Sequence, residues 1–172
     1  MSDLKVLVMM GSDSDLPVMA EAAKVLTKLN IGHEVVVSSA HRSPERTAEI
    51  VKSAPGRGVK VFVVGAGAAA HLAGVVSAHT TLPVLGVPLA SSDLNGLDAL
   101  LATVQMPAGI AVGCLAIGKA GAANAAWLAA SILSTSDSNL AQRLVAERAA
   151  MADKVATKSE AAQTRLGELL QS

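Results

Sequence analysis

Apolar residues are grouped along this chain into five short runs, each rich in β-branched or aliphatic side chains. Each run is closed by small or polar residues. Nearly continuous hydrophobicity of this kind is typical of strands that helices cover on both faces. We therefore predict five buried β-strands, at Leu4 to Met10, His33 to Val37, Val59 to Val64, Pro83 to Val87 and Ile110 to Leu115.

Between these runs, apolar residues recur at intervals of three and four, which predicts helices. Asp13 or Ser14 is the expected N-cap of the first helix, with Pro17 in its first turn. Ser43 and Pro44 mark the start of the second helix, which stops before residue 55. The six predicted helices cover approximately Leu16 to Leu29, Ser43 to Ala54, Ala69 to His79, Leu97 to Val104, Ala120 to Leu133 and Ser138 to Lys158.

The regular alternation of strand and helix predicts an α/β fold, because parallel strands need crossover connections of this length. We expect a three-layer sandwich with a central parallel sheet of about five strands, of the flavodoxin-like or Rossmann-like type, plus C-terminal helices. No repeat or linker divides residues 1–172, so a single domain is expected. The Ala-rich helix at 120–133 is apolar nearly all round and should be buried. The charged helix at 138–158 is either a solvated face or an arm packed on a neighbouring subunit.

The composition excludes several classes of protein. Apolar residues make up 51% of the chain and charged residues 16%, with 14 basic and 14 acidic side chains, so disorder is excluded. There is no basic patch and only 1% aromatic residues, which argues against nucleic-acid binding. One cysteine cannot form a disulfide framework. Because residues 1–5 run directly into a strand, we expect no signal peptide and a cytoplasmic protein. The apolar surplus predicts contacts with other copies.

Polar and small residues follow the first three predicted strands. The three segments are Gly11-Ser-Asp-Ser-Asp15, Ser38-Ser-Ala-His-Arg-Ser-Pro44 and Gly65-Ala-Gly-Ala-Ala-Ala-His71. In open parallel sheets, ligands bind outside the carboxyl ends of the strands. Helix N-termini beside hydroxyls and an arginine bind anions, and a histidine next to a fixed cation suits acid–base work on an anion. The sequence therefore predicts a pocket for a small phosphorylated metabolite, with His41 and Arg42 at its centre.

Other kinds of site are weakly supported. Gly65 to Ala70 formally matches a dinucleotide-binding fingerprint, but it follows the third strand and no acid for a ribose lies about 20 residues on. Phe62 and Trp127 fall within predicted elements, so nothing is placed to stack on a flavin. No His, Cys or acidic residues have metal-ligand spacing. Cys114, in the last strand, is expected to be a buried inert thiol.

At the three loops the chain resembles the 5-(carboxyamino)imidazole ribonucleotide mutase family of purine biosynthesis, the catalytic subunit also known as phosphoribosylaminoimidazole carboxylase. The resemblance extends through most of the chain in the family's order. It departs at Ala68, where glycine is frequent, at Ala73, where proline is frequent, and at Ser43, where threonine is frequent. The segments that carry it are 11–15, Ser39-Ala-His-Arg42, 65–67 with His71-Leu72, Leu82 to Pro88, Val104 to Pro107 and Leu115 to Ala125.

The resemblance implies a role for each residue of the site. Ser12 would hold the migrating carboxylate and Asp15 the ribose hydroxyls. The phosphate would be held by Ser14, Ser39 and Arg42, and His41 would be the general acid and base. Backbone groups of Ala66, Gly67 and Leu72 would line the site for carbon dioxide or carboxylate, with His71 as a neighbouring member of that loop.

The implied reaction shifts a carboxylate from the exocyclic nitrogen of an aminoimidazole ribonucleotide to ring carbon four, with no cofactor and no metal. The family also implies a homo-octamer and a functional handover of substrate from the ATP-dependent carboxyaminoimidazole ribonucleotide synthase. No nucleic-acid or membrane partner is expected. The alternatives are an enzyme that carboxylates aminoimidazole ribonucleotide directly with carbon dioxide, a non-catalytic nucleotide-binding domain, and a nicotinamide-dependent oxidoreductase, which the missing acidic residue disfavours.

Overall fold

The computed structural model describes residues 3–170, in two compact units divided between residues 133 and 134. The first unit holds a five-stranded parallel sheet in the order β2-β1-β3-β4-β5. The predicted fold class is confirmed. Its strands are β1 (Leu4–Met10), β2 (Gly32–Val37), β3 (Val61–Gly67), β4 (Val84–Leu89) and β5 (Gly113–Cys114).

Helices alternate with these strands as the apolar spacing predicts. They are α1 (Leu16–Lys28), α2 (Pro44–Ser53), α3 (Leu72–Ala78), α4 (Leu97–Val104), α5 (Lys119–Ser134) and α6 (Ser138–Leu169), and short 3-10 turns lie at Asp13–Asp15 and Pro55–Arg57. No helix within residues 3–170 is both long enough and apolar enough to cross a membrane.

The core of the first unit surrounds β1 and β3, whose apolar side chains alternate between the two faces of the sheet. Leu7, Met9, Phe62 and Val64 pack in one cluster with buried residues of α2 and α3. Lys28 at the end of α1 lies 5.9 Å from the ring centre of Trp127 in α5. Helices therefore cover both faces, which explains why these strands have no polar alternation.

Several predicted boundaries are wrong. β3 continues through Gly67 instead of ending at Val64, because Gly65, Ala66 and Gly67 pair with β4. Consequently α3 begins only at Leu72 and is shorter than the predicted helix. β5 is reduced to two residues, Gly113 and Cys114.

The C-terminal helix is longer than its apolar spacing suggests. It runs to Leu169 instead of Lys158, because the added residues are mostly strong helix formers such as Ala, Glu, Gln, Arg and Leu. Asp137 caps its start by accepting a hydrogen bond from the Leu140 amide at 3.0 Å. The last twenty described residues of the helix are all exposed in this chain.

The Ala-rich helix α5 is buried on one face only. Its buried residues are Gly121, Ala122, Ala125, Ala126, Ala129 and Ala130, all small. Asn124 and Leu128 lie on the exposed face. Small side chains let this helix approach closely, and the closest approach is at Gly121, where an added Cβ would lie 1.6 Å from the Ala116 carbonyl oxygen.

We expect Gly121→Ala to lower the free energy of unfolding by about 3 kcal/mol, because backbone atoms on both sides must move to admit the methyl group. Thermal or urea unfolding measures the change. Gly56→Ala is the matched control, since nothing lies within 4 Å of its added Cβ. Equal stability of the two variants would show that α5 does not approach residue 116 this closely.

Candidate active site

The candidate site lies where the order of strands reverses. From β1 the chain crosses to β2 on one side, and from β3 it proceeds to β4 on the other, so the carboxyl ends of β1 and β3 open a crevice between them. A cavity of about 410 Å³ occupies this crevice. It is lined by Gly11, Ser12, Ser14, Asp15, Ser39, Ala40, His41, Arg42, Ala66, Gly67, Ala69, Leu72 and Ser91.

The loop after β1 is built around a capping box at the 3-10 turn that precedes α1. Ser12 is the N-cap of this turn, and its hydroxyl accepts a hydrogen bond from the Ser14 amide at 3.3 Å. In return, the Asp15 carboxylate accepts from the Ser12 amide at 3.2 Å. The N-cap of α1 is Asp15, not Asp13 or Ser14 as predicted, because those two residues lie in the turn that precedes the helix. The Ser14 hydroxyl donates to the Ser12 hydroxyl at 2.8 Å. Local capping therefore holds three polar side chains at the cavity wall.

Asp15 is the half-buried carboxylate of this loop. Its removal from water raises its pKa, the hydrogen bond from the Ser12 amide opposes that rise, and the neighbouring Asp13 carboxylate adds to it. A desolvated carboxylate beside a cavity is an acceptor that gains from hydroxyl donors on a ligand. Because the folded form binds its proton more tightly than the unfolded chain, the charge of Asp15 opposes folding at neutral pH, and protonation in acid removes that cost.

The loop after β2 is held by hydroxyl groups beneath it. The buried side chains of Ser38 and Thr47 are joined by a 2.8 Å hydrogen bond that ties the end of β2 to α2. Above this tie, the Arg42 amide donates to the Ser39 hydroxyl at 3.2 Å. The Arg42 guanidinium donates from Nη2 to the Gly11 carbonyl at 3.3 Å, which links this loop to the loop after β1.

The loop after β3 is tighter than the sequence suggests. The last residue of β3 that pairs with β1 is Gly65. Ala66 and Gly67 continue β3 beyond this pair, so on the side of β1 their backbone has no neighbouring strand and opens onto the cavity. Ala68 then takes a left-handed conformation with φ +49°. The Ala70 and His71 amides each donate to the carbonyl two residues earlier, both at 2.8 Å. These bonds turn the chain sharply before α3 begins.

This turn brings two histidines together across 30 residues of sequence. Nε2 of His41 lies 2.8 Å from Nδ1 of His71, and the ring centres are 4.9 Å apart in an edge-to-face arrangement. One nitrogen must donate and the other accept, so the two rings share one proton along this bond. Nδ1 of His41 remains available to a ligand, because no hydrogen bond occupies it within residues 3–170.

Nine of the ten residues singled out from the sequence line the cavity: Ser12, Ser14, Asp15, Ser39, His41, Arg42, Ala66, Gly67 and Leu72. The tenth, His71, lies behind His41 and contacts it instead. Their individual roles stay predictions.

Sequence reasoning missed Ser91 among the lining residues. It lies two residues past the end of β4. The rule that directed attention to the ends of the first three strands would have found it at the end of the fourth.

Other reactive groups lie outside the cavity. Burial raises the pKa of the Cys114 thiol, in β5, so it stays protonated at neutral pH. His33 contacts the Ile31 carbonyl through Nδ1 at 2.9 Å. In the part of the chain that the structure describes, no three His, Cys, Asp or Glu side chains are grouped to hold a metal ion.

The chain is similar to known proteins along most of its length. Residues 5–154 match the family model described as AIR carboxylase. The N5-carboxyaminoimidazole ribonucleotide mutase of Escherichia coli (strain K12) is 52% identical over 151 residues, covering 88% of this chain and 89% of that protein. The protein of the same name from Bacillus subtilis (strain 168) is 52% identical over 137 residues, covering 80% and 85%. The crystal structure of Treponema denticola PurE has a TM-score of 0.79 at 27% identity, covering 88% of this chain and 94% of that one.

The left-handed Ala68 is a strained residue that glycine would relieve. We expect Ala68→Gly to raise the free energy of unfolding by about 0.5–1 kcal/mol, because the relief of φ strain exceeds the extra entropy of glycine in the unfolded chain. Ala69→Gly is the control, since Ala69 has no positive φ, and it should lower stability by a similar amount. Thermal unfolding of both variants measures the difference, and a loss of stability in Ala68→Gly would contradict the strain.

Proposed function

Because this chain belongs to the AIR carboxylase family, we propose that it is an N5-carboxyaminoimidazole ribonucleotide mutase, as its relatives at about 52% identity are named. It converts 5-carboxyamino-1-(5-phospho-D-ribosyl)imidazole to 5-amino-1-(5-phospho-D-ribosyl)imidazole-4-carboxylate in purine biosynthesis. The observation that carries the proposal is the convergence of three loops on one cavity, which His41 and Arg42 line and where His41 is hydrogen-bonded to His71.

Arg42, Ser39 and Ser14 bind the phosphate of the substrate. The guanidinium supplies charge-assisted hydrogen bonds, and the residues of the two hydroxyls line the same cavity. Among residues 3–170, the cavity lining holds one arginine, Arg42, and one carboxylate, Asp15. The phosphate therefore binds at the end of the cavity where Arg42 bridges two loops, and Asp15 accepts hydrogen bonds from the ribose hydroxyls.

His41 moves one proton at two positions of the substrate. It donates a proton to the exocyclic nitrogen, the bond from that nitrogen to the carboxyl carbon breaks, and carbon dioxide leaves. Ring carbon four then attacks the carbon dioxide, and His41 removes the proton from that carbon, so the enzyme returns to its starting state. Imidazole side chains exchange protons near neutral pH, which suits one group to both steps.

Retention of carbon dioxide decides whether product forms. Ser12 holds the carboxylate of the substrate before the transfer, and backbone groups of Ala66, Gly67 and Leu72 surround it at the open strand edge after β3. A molecule held there meets ring carbon four at a high effective concentration, so recombination outcompetes escape. Small residues suit this place because they let the backbone approach the carboxylate.

His71 orients His41. The 2.8 Å bond between them fixes the plane of the His41 ring and leaves Nδ1 directed away from His71. A ring held in this way does not lose rotational freedom when the substrate binds.

Direct carboxylation is the second candidate, because the matched family model is described as AIR carboxylase. Such an enzyme would consume aminoimidazole ribonucleotide and bicarbonate. The mutase is favoured because the Escherichia coli and Bacillus subtilis relatives, each 52% identical to this chain, carry that name.

We expect the purified protein to convert the carbamate substrate to the carbon-linked carboxylate without ATP, as followed by absorbance. His41→Asn should lower turnover on the order of a thousandfold, because proton transfer is lost, while nucleotide binding measured by calorimetry is retained. His79→Asn, at the end of α3 and outside the cavity, is the matched control and should keep full turnover.

Two results would contradict this function. Efficient use of aminoimidazole ribonucleotide and bicarbonate with the carbamate left untouched would favour the direct carboxylase. Undiminished turnover in His41→Asn would remove His41 from the chemistry.

The chain acts as a homo-oligomer, which we propose to be an octamer in which α6 packs on a neighbouring subunit. Exposed apolar side chains occur on both compact units of the chain, which supports this assembly. Leu97, Leu101 and Val104 form an exposed stripe on α4, and Val155 on α6 is 68% exposed. Neighbouring exposed apolar side chains of this kind are typical of protein–protein contacts. The chain 1–172 is then one catalytic domain whose final helix packs on a neighbouring subunit.

Light scattering at micromolar concentration should give a mass of about eight times 17.3 kDa. Val155→Glu should lower this mass, because a charge would then lie in the subunit contact. Thr157→Glu, which points to the opposite side of the same helix, should leave the mass unchanged. A monomer in the unmodified protein would refute the assembly.

The substrate is a carbamate, which loses carbon dioxide spontaneously in solution. We therefore propose that an ATP-dependent carboxyaminoimidazole ribonucleotide synthase hands it over to this enzyme. Location in the cytoplasm stays a prediction from the sequence.

A further inference from the structure

Ser91 is a polar residue of the cavity to which the proposed chemistry gives no role. It lies just past β4, and its amide donates to the Leu89 carbonyl at 3.1 Å, so the chain turns there. Ser91 lines the cavity, and the strand that precedes it, β4, is separated from β1 by β3.

The hydroxyl of Ser91 lies against Gly67. An added Cβ at Gly67 would fall 1.8 Å from Ser91 Oγ, which means that only glycine leaves room for the hydroxyl there. Gly67 is also the last residue of β3 and belongs to the edge that β1 leaves unpaired, where the proposed mechanism holds the carboxyl group. Ser91 is therefore at the carboxyl end of the cavity.

The next residue, Ser92, has a different task. Its hydroxyl donates to the Asp98 carboxylate at 2.7 Å and accepts from the Leu94 amide at 3.3 Å, which ties the loop after β4 to the start of α4. Ser91 Oγ has no such bond within residues 3–170. The two adjacent serines thus divide into one that holds the loop and one whose hydroxyl faces the cavity.

We propose that the Ser91 hydroxyl donates a hydrogen bond to an oxygen of the migrating carboxyl group and helps to retain carbon dioxide between its release from nitrogen and its capture by carbon. The inference rests on the mutase function proposed above. A carboxylate oxygen is a strong acceptor for a hydroxyl, and the Ser91 hydroxyl lies beside Gly67, whose backbone lines the same part of the cavity. The hydroxyl and the backbone groups thus together hold the carboxyl group.

The experiment compares Ser91→Ala with Ser92→Ala in the full-length protein. For each variant we measure which fraction of the consumed carbamate becomes carbon-linked carboxylate and which fraction becomes free aminoimidazole ribonucleotide. The spontaneous decay seen in an enzyme-free sample is subtracted. Ser91→Ala should lower kcat/KM by a factor of about ten or more, as for other hydrogen bonds to charged groups, and should raise the fraction lost as free aminoimidazole ribonucleotide. Its melting temperature should not change, because the hydroxyl has no hydrogen-bond partner in the part of the chain that the structure describes.

Ser92→Ala should lower the melting temperature and leave the product fraction close to that of the unmodified enzyme. Gly67→Ala provides a second route, since its methyl group displaces the Ser91 hydroxyl and should raise the lost fraction in the same way.

The inference is overturned if Ser91→Ala matches the unmodified enzyme in both kcat/KM and product fraction, or if Ser92→Ala loses carbon dioxide equally. An unmodified protein with no turnover of the carbamate would instead overturn the proposed function, and this inference with it.

Discussion

The structure depends on the position of β1 between β2 and β3. β1 pairs with both neighbours in parallel, and its residues Val6 to Met10 are fully buried. Because all three strands point the same way, the loops that leave them meet at one edge of the sheet. The chain must leave β1 and β3 in opposite directions, and that divergence opens the cavity. The backbone hydrogen bonds of these strands therefore place the three loops that form the site.

Each loop uses a different local device to present its polar groups. A capping box shapes the loop after β1, buried hydroxyls support the loop after β2, and a left-handed Ala68 turns the loop after β3. These devices satisfy backbone groups that the ends of strands and helices leave unpaired. The functional side chains are thus held by short-range bonds, while the sheet brings the three loops together.

Among the described residues, the cavity of about 410 Å³ is lined by one arginine, one desolvated carboxylate, several hydroxyls and the imidazole of His41, which is hydrogen-bonded to His71. Such a set suits a small, phosphorylated, polar ligand and a proton transfer. The small residues at 66–69 keep the wall of the cavity close to the backbone. The composition that first excluded other classes of protein therefore has a direct use at the site.

The sequence by itself determined the fold class and the ends of the elements that have sharp polar or proline boundaries. β1 and α4 begin and end where the apolar pattern predicts, and the cavity lies at the strand ends that the pattern identified. Tertiary structure decided the rest. Whether Gly65 to Gly67 is strand or loop depends on pairing with β4, because small residues carry no periodic signal. The bond between His41 and His71 and the approach of Ser91 to Gly67 join residues 30 and 24 positions apart, and no local pattern encodes such distances.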